Sequence, residues 1–567
     1  MNEEELRSEI REQFTGIDEE ALLKCISMCR TYNITPENLK YKWEAFSFNS
    51  SIKDTPLTFF TADSATGLQQ MLQREVTNMG QQKAAVSKPS VGKKLRQPVT
   101  GNVVGYSTPI QSRRKQGGVK IEPTTPSLHA RARVPAGPPA NYVPPHNINS
   151  YVYRYMYEKI HDRAAILDDQ LDEMAETVRK HYQLRELGDP NIVTQDEVVV
   201  VGRIVNDSDT KMSESTVFIE SSRMMGMGAR ILLEFDANVK IRCASNRGTG
   251  STGIGLFPGM IVALKGRNGS GDNFVVSEFL RIPPLLPSLK SDVDSSLKAV
   301  IACGPYTFDS DLDYKPFATL IDNIRTERPQ LLILIGPFVD SNHSLVKTGQ
   351  IDDMPIDIFR HKIASPLVQL ESEIPELLVV IVPSPRDLIS HHVVFPQAAL
   401  ERTPQLGLPK RSQLVPNPCI FSVNGVRIGV TSIDVLFHIR KDEFFKHAPE
   451  ISDEPDVQPA DAMTMLCRQI VEQQSFYPLF PVPKEVQEDV NLSITHSNLL
   501  KMDGFAPDIL ILPSRLKEFQ KVVDSTTVVN PGLAAKFNSA GAAVCLNISR
   551  SSGTSLQSSM KTIKLGS

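Results

Sequence analysis

The sequence predicts a multidomain α+β protein: a small helical unit, a disordered linker, a small β-barrel, and a larger C-terminal sheet enclosed by helices. Three observations carry this prediction. Apolar residues first recur every three or four positions, then gather into short β-branched runs, and finally into such runs separated by helical stretches. Residues 80–140 interrupt the pattern with eight prolines and seven glycines. The length of 567 residues exceeds what one hydrophobic core organises.

Residues 1–78 form the first unit. Leu6, Ile10, Phe14, Ile17, Ala21, Leu22, Cys25 and Ile26 fall at helical spacing, with Gly16 as a break. Thr35-Pro36-Glu37 reads as a helix start, because the hydroxyl caps free amides and proline suits the first turn. Trp43, Phe46 and Phe48 supply aromatic packing, and residues 66–79 offer one more helix. The exposed face of this unit either binds a partner or merely covers its own core.

Residues 79–145 read as a linker in which burial would not repay chain entropy. Between 80 and 140, eleven Lys or Arg stand against the single acid Glu122, a balance of +10, so the rest of a chain of net charge −4 carries about −14. This asymmetry argues against nucleic-acid binding along the whole chain. The clusters Lys93, Lys94, Arg96 and Arg113, Arg114, Lys115 fit nuclear targeting, contact with an acidic polymer, or a solvated linker. Thr108-Pro109 and Thr125-Pro126 are candidate sites of proline-directed phosphorylation.

In the segment 146–190 a helix is expected from about Val152 to Leu187, its stripe running through Ile160, Ala164, Leu167, Leu171, Met174 and Val178 and packing on the core. Gly188-Asp189-Pro190 stops it. Residues 191–287 hold β-branched runs at 197–204, 215–220, 229–235, 260–266 and 273–280, divided by Gly- and Ser-rich turns, which favours a barrel. Arg203, Arg223, Arg230, Lys240, Arg242 and Arg247 would line a nucleic-acid groove if they shared one face, with Phe218, Phe235, Phe257, Phe274 and Phe279 as stacking platforms or as core. The glycine-rich run 248–255 lacks the closing Lys-Ser/Thr of a phosphate-binding loop. Residues 288–567 hold strands near 297–303, 331–335, 377–382, 426–432, 509–513 and 543–548, with a helix at 461–474. Functional loops are expected at the strand ends.

Seven scattered cysteines without a CxxC pair suggest a reducing compartment. The start MNEEELRSEIREQF is acidic and amphipathic, unlike a secretory signal, and no apolar run reaches membrane length. A soluble intracellular protein without a membrane partner is expected.

At three strand ends stand CGPYT (303–307), IGPFVD (335–340) and VPSPRD (382–387), in the order of calcineurin-like phosphoesterase motifs. Behind a small barrel and a helical unit, this succession resembles the B (regulatory) subunits of DNA polymerase alpha–primase, over nearly the whole chain. The resemblance implies an OB-like barrel followed by a calcineurin-like phosphoesterase α/β sandwich that lacks its metal site. The active pattern has Asp-x-His at the first loop, where Cys303 and Gly304 stand here. Pro337 takes the place of the metal-bridging aspartate, and Asp340 keeps only the later acidic position. Ser384, Pro385 and Arg386 match Gly, Asn and His of the third motif, leaving Asp387, while Pro513, Ser514, Arg515 and Leu516 match the late Gly-His-x-His. Two-metal hydrolysis needs a cage of carboxylate, amide and imidazole ligands, which Cys, Pro and Arg do not rebuild. No catalytic residue, metal ligand or cofactor is therefore expected. Asp340 and Asp387 are read as capping, turn or ion-pair residues, and His391, His392, His438 and His496 as structural or surface groups.

The resemblance further implies a non-catalytic scaffold that binds the catalytic subunit of DNA polymerase alpha through its C-terminal domain. Primase would belong to the same assembly, other replication factors would meet the N-terminal domain, and the complex would act in the nucleus to initiate replication. Two alternatives remain open at this point: a metal-dependent phosphoesterase with divergent ligands, and a single-stranded nucleic-acid adaptor.

Overall fold

The computed structural model describes residues 3–50 except 15–17 and 33, and residues 140–566 except 209, 245–247, 289–294, 392, 452–457, 503 and 551–555. The predicted helix at 66–79, the basic clusters, Thr108, Thr125, Arg247 and His392 lie outside these residues. The chain divides into two units, Met1–Pro126 and Ser127–Ser567.

In the first unit the helices Glu3–Gln13, Glu19–Tyr32 and Pro36–Ser50 gather Leu6, Ile10, Leu22, Cys25, Leu39 and Trp43 into one apolar cluster. Asp18 caps the second helix by accepting from the Ala21 amide at 2.6 Å, and Thr35 caps the third by accepting from Asn38 at 3.3 Å. Burial pushes the Cys25 thiol up to about 12 and Cys29 up to about 11, so both pack as neutral side chains.

The second unit opens with a short strand, Tyr142–Val143, that pairs antiparallel with Cys419–Val423. Sequence placed these two residues in the linker. Tyr142 packs instead against the buried C-terminal core, beside Phe421. The helix expected from Val152 begins only at Ile160 and ends at His181. Met156 has a φ of 63°, which no right-handed helix accepts, and Tyr153 is committed elsewhere, stacked on His496 with ring centroids 3.5 Å apart. From Ile160 the helix lays Leu171, Ala175 and Val178 on Val201, Ile261, Ala263 and Leu280 of the barrel.

Strands Val198–Asn206, Val217–Glu220, Arg230–Arg242, Ile261–Arg267 and Asn273–Leu280 make that barrel, which closes by parallel pairing of Arg230–Arg242 with Asn273–Leu280. Phe235, Phe257, Phe274 and Phe279 are buried in its core. The C-terminal region reaches back to grip the barrel: Phe444–His447 pairs with Gly253–Leu256, and Glu450–Ile451 pairs parallel with the end of Arg230–Arg242, at Ile241 and Arg242.

The rest of the unit is built on two six-stranded mixed sheets. One runs in the order Gln413–Leu414, Leu378–Val382, Leu331–Ile335, Ser295–Cys303, Ala542–Arg550, Gln557–Lys564. The other runs Tyr142–Val143, Cys419–Val423, Val426–Val430, Ile509–Ile511, Thr526–Asn530, Phe519–Val523. Leu297, Ile333 and Val380 of the first sheet share an apolar layer with Phe421, Ile428 and Ile511 of the second. The run LLILI at Leu331–Ile335 is apolar throughout because its strand is buried on both faces, meeting the second sheet on one side and the helix Lys315–Glu327 on the other. The sequence reading of a single sheet between helices missed the strands at 419–423, 519–523, 526–530 and 557–564. The parallel strands ending at Cys303, Ile335 and Val382 bring their following loops to one edge of the layer.

Candidate functional site

The first two loops meet backbone to backbone. A Cβ on Gly304 would lie 1.9 Å from the Pro337 carbonyl oxygen, and one on Gly336 would lie 2.2 Å from a carboxylate oxygen of Asp387, so neither position has room for a side chain. Asp387 is buried and ties the second loop to the third. Its Oδ1 accepts from the amides of Phe338 and Val339, the latter at 3.1 Å, and its Oδ2 accepts from the Ser384 amide at 3.1 Å. Burial pushes this carboxyl up to about 7, against the three amides that favour its ionised form.

That conflict makes a testable prediction. The folded-state value lies above the ordinary carboxylate value, so the folded chain holds the extra proton between about pH 4 and 7, and the stability linked to it fades as pH rises through about 7. Asp387→Asn is expected to flatten this slope in urea denaturation measured from pH 5 to 8. It should also lower stability by about 1–3 kcal/mol, since its NH2 cannot accept from the Ser384 amide.

Around this clasp lies a cavity of about 540 Å³. Arg386 projects into it and pairs with both oxygens of Asp340, Nε to Oδ1 at 3.1 Å, and with Asp489 at 3.6 Å. Asp340 also accepts from the Asn342 amide at 2.9 Å. The guanidinium therefore holds the place of positive charge between two carboxylates. Asp434, which also lines the cavity, accepts from Phe437 at 3.1 Å, capping the helix Val435–Asp442, and from the Arg515 amide at 2.9 Å. The Arg515 side chain stacks over Phe437 at 4.2 Å. Ser514 is buried, and its amide donates at 2.9 Å to Asn530, which fastens this fourth loop by also donating to Leu516 and Lys517.

All the loop residues singled out in sequence, Cys303, Gly304, Pro337, Asp340, Pro385, Arg386, Asp387, Ser514 and Arg515, thus lie in the four converging loops, but they do not form a metal cage. Cys303 is buried with its thiol pushed upward by desolvation. Asp340 is spent on Arg386 and Asp387 on backbone amides. Among the described residues, no group of three or more His, Cys, Asp and Glu is arranged to hold a metal ion. The Arg386 guanidinium brings fixed positive charge into the cavity that these loops enclose. Sequence reasoning missed Asp434, Asp489 and Asn530, whereas His438 was read there as a structural or surface group. His438 lines the cavity 3.2 Å from the Tyr477 hydroxyl and is held neutral by burial, which lowers it to about 4. Asp434 closes the turn after a predicted strand and was legible as a helix cap; Asp489 carried no such signal.

The other candidates separate cleanly. Arg223 pairs with Asp168, Arg230 with Glu220 at 2.6 Å and Arg242 with Glu278 at 2.8 Å, so each of these half-exposed cations has an acidic neighbour within the chain. Lys240 is exposed, and Arg203 is buried. The glycine-rich run does cradle an anion, the chain's own Glu450, which accepts from the amides of Thr249 at 2.8 Å and Ser251 at 3.2 Å. His496 accepts or donates at 2.9 Å to Ser493, and His391 is exposed. No helix among the described residues is long and apolar enough to cross a membrane.

Comparison with known proteins agrees with this layout. The family of B subunits of DNA polymerases alpha and epsilon matches residues 299–521, and the family described as the OB domain of the DNA polymerase alpha B subunit matches residues 164–282. The B subunit of DNA polymerase alpha from Schizosaccharomyces pombe is 30% identical over 566 residues, covering 92% of each chain. That of Saccharomyces cerevisiae is 30% identical over 69% of this chain and 59% of its own, and that of Mus musculus 28% identical over 68% and 60%. A solved structure of the Thermus thermophilus protein TT1561 aligns with 48% of this chain and 100% of its own at a TM-score of 0.21 and 12% identity, too slight a likeness to assign a fold. With the alignment to the fission-yeast protein running almost end to end and the barrel matched by its own family, the chain belongs to the family of DNA polymerase alpha B subunits.

Proposed function

We propose that this chain is a non-catalytic regulatory and scaffolding subunit of a DNA polymerase alpha–primase assembly. It binds the polymerase catalytic subunit through its C-terminal domain, shares the complex with primase and supports primer synthesis at the start of DNA replication in the nucleus. Family membership supports the assembly. The observation that carries the non-catalytic part is Arg386, a guanidinium locked between Asp340 and Asp489 at the loops where phosphoesterases hold their cations. In this reading the two-sheet layer descends from a calcineurin-like phosphoesterase. The N-terminal helices of residues 1–78 then serve as an interaction domain for other replication factors, and Thr108 and Thr125 are phosphorylated to tune contacts of the basic segment.

The test is direct. The full chain is expected to co-purify at one-to-one stoichiometry with the C-terminal domain of a polymerase alpha catalytic subunit. It should show no turnover of phosphomonoester or phosphodiester substrates with Mg²⁺, Mn²⁺ or Zn²⁺. Metal-dependent turnover abolished by Asp340→Asn would overturn the proposal and restore the divergent-ligand enzyme. Replacing both Thr108 and Thr125 with Ala should leave that co-purification unchanged.

A further inference from the structure

A second cavity, of about 260 Å³, lies where the helix Ile160–His181 crosses the barrel and the segment 473–504. Much of its wall is apolar, with Leu167, Met174, Ile261 and Leu479 among the lining residues. Its polar groups are mostly spent: Gln170 donates to Ser497 at 2.6 Å, Gln473 bonds both backbone groups of Ile261 at 2.8 Å, and Lys501 pairs with Glu173. Arg203 is different. It is 3% exposed, and its side chain donates from Nη2 to the Leu167 carbonyl at 2.7 Å. Among the described residues it has no ion-pair partner. The two acids closest in its electrostatic surroundings are engaged elsewhere: Glu220, its cross-strand neighbour, binds Arg230, and Asp168 binds Arg223. Burial pushes the Arg203 guanidinium below its usual range, and those two acids oppose the shift only in part.

A buried cation without a counter-charge is costly, and a planar guanidinium is shaped to accept a carboxylate through two parallel hydrogen bonds. We propose that this cavity is a binding site for a carboxylate carried on a short apolar stem, with Arg203 receiving the carboxylate and Leu167, Ile261 and Leu479 covering the stem. A phosphate suits it less, because a dianion would face a single cation without an ion-pair partner, and the other polar groups of the wall are mostly engaged. The site is separate from the four-loop cavity and does not rest on the reading of that cavity.

The test titrates the full chain calorimetrically with hexanoate and, at the same pH and ionic strength, with neutral hexan-1-ol. Hexanoate is expected to saturate one site and to bind about tenfold or more tightly than the alcohol. Arg203→Met should erase that preference, and Arg203→Lys should keep part of it. Equal affinities, no hexanoate binding to the unaltered chain, or a preference that survives Arg203→Met would overturn the proposal. Should Arg203→Met fail to fold, Thr177→Trp decides. Thr177 is an exposed helix position at the cavity wall, so Trp there blocks access while sparing the guanidinium, and hexanoate binding that persists would refute the site. An acetylated Leu-Leu-Glu amide binding more tightly than hexanoate assigns the carboxylate to a partner polypeptide; weaker binding assigns it to a free small acid.

Discussion

Replacing Arg281 with Met is expected to destabilise the second unit by about 3–5 kcal/mol, the usual effect of stripping one partner from a buried ion pair. Arg281 is 7% exposed and stands just past the barrel strand Asn273–Leu280. Its Nη1 donates to Glu472 at 2.8 and 3.0 Å, its Nη2 to Ser251 at 2.6 Å, and its Nε lies 3.7 Å from Glu450. Glu472 ends the helix Ala462–Glu472, so this one side chain fastens the barrel to the C-terminal layers. Without it two carboxylates remain inside with only Arg468 nearby to oppose the charge on Glu472. The check is the midpoint of urea unfolding. The sign with pH is also set. Burial already raises Glu472 above its ordinary value, and losing Arg281 raises it further, so the folded variant takes up a proton that the unfolded chain gives away. The deficit should therefore shrink as pH falls toward 5 and be fully present at pH 8. A deficit that stays constant with pH would show that packing, rather than charge, is what Arg281 supplies.

Arg386→Leu is expected to cost about 3 kcal/mol, because Asp340 and Asp489 would then face each other across the emptied centre of the four-loop cavity. Added Mn²⁺ should recover part of the loss in the variant and change nothing in the unaltered chain, as a mobile cation replaces a tethered one. Thermal unfolding with and without the metal reads both effects. Equal stabilisation of both chains by Mn²⁺ would mean that Arg386 does not occupy the cationic position.

The parts of this architecture that sequence revealed are those with a local signal. The unbroken apolar run Leu331–Ile335, the Gly-Pro pairs after Cys303 and Ile335, and the change of spacing near Gly188 all report buried strands, tight loops and a boundary directly. The elements that escaped notice are set by distant partners. Phe519–Val523 reads as FQKVV, with one fully buried residue, because it is an edge strand held by its neighbour Thr526–Asn530. Arg203 and Arg242 look alike in sequence, yet one is buried and the other bonds Glu278, a distinction that only cross-strand register creates. The same holds at the site. Motif order located Arg386 and Asp387, whereas Asp489 comes to Arg386 from a short helix more than a hundred residues away.

The two-residue strand Tyr142–Val143 occupies the margin of the second sheet, against Cys419–Val423. Without it, the backbone groups of Ser422 and Val423 on the outer edge of that strand would lose their partner. Such a margin invites the same strand of another molecule. Tyr142 and Val143 therefore act as a guard against self-association as well as a tether. A shortened chain that starts at residue 140 should remain monodisperse in light scattering, whereas one that starts at residue 146 should form concentration-dependent aggregates.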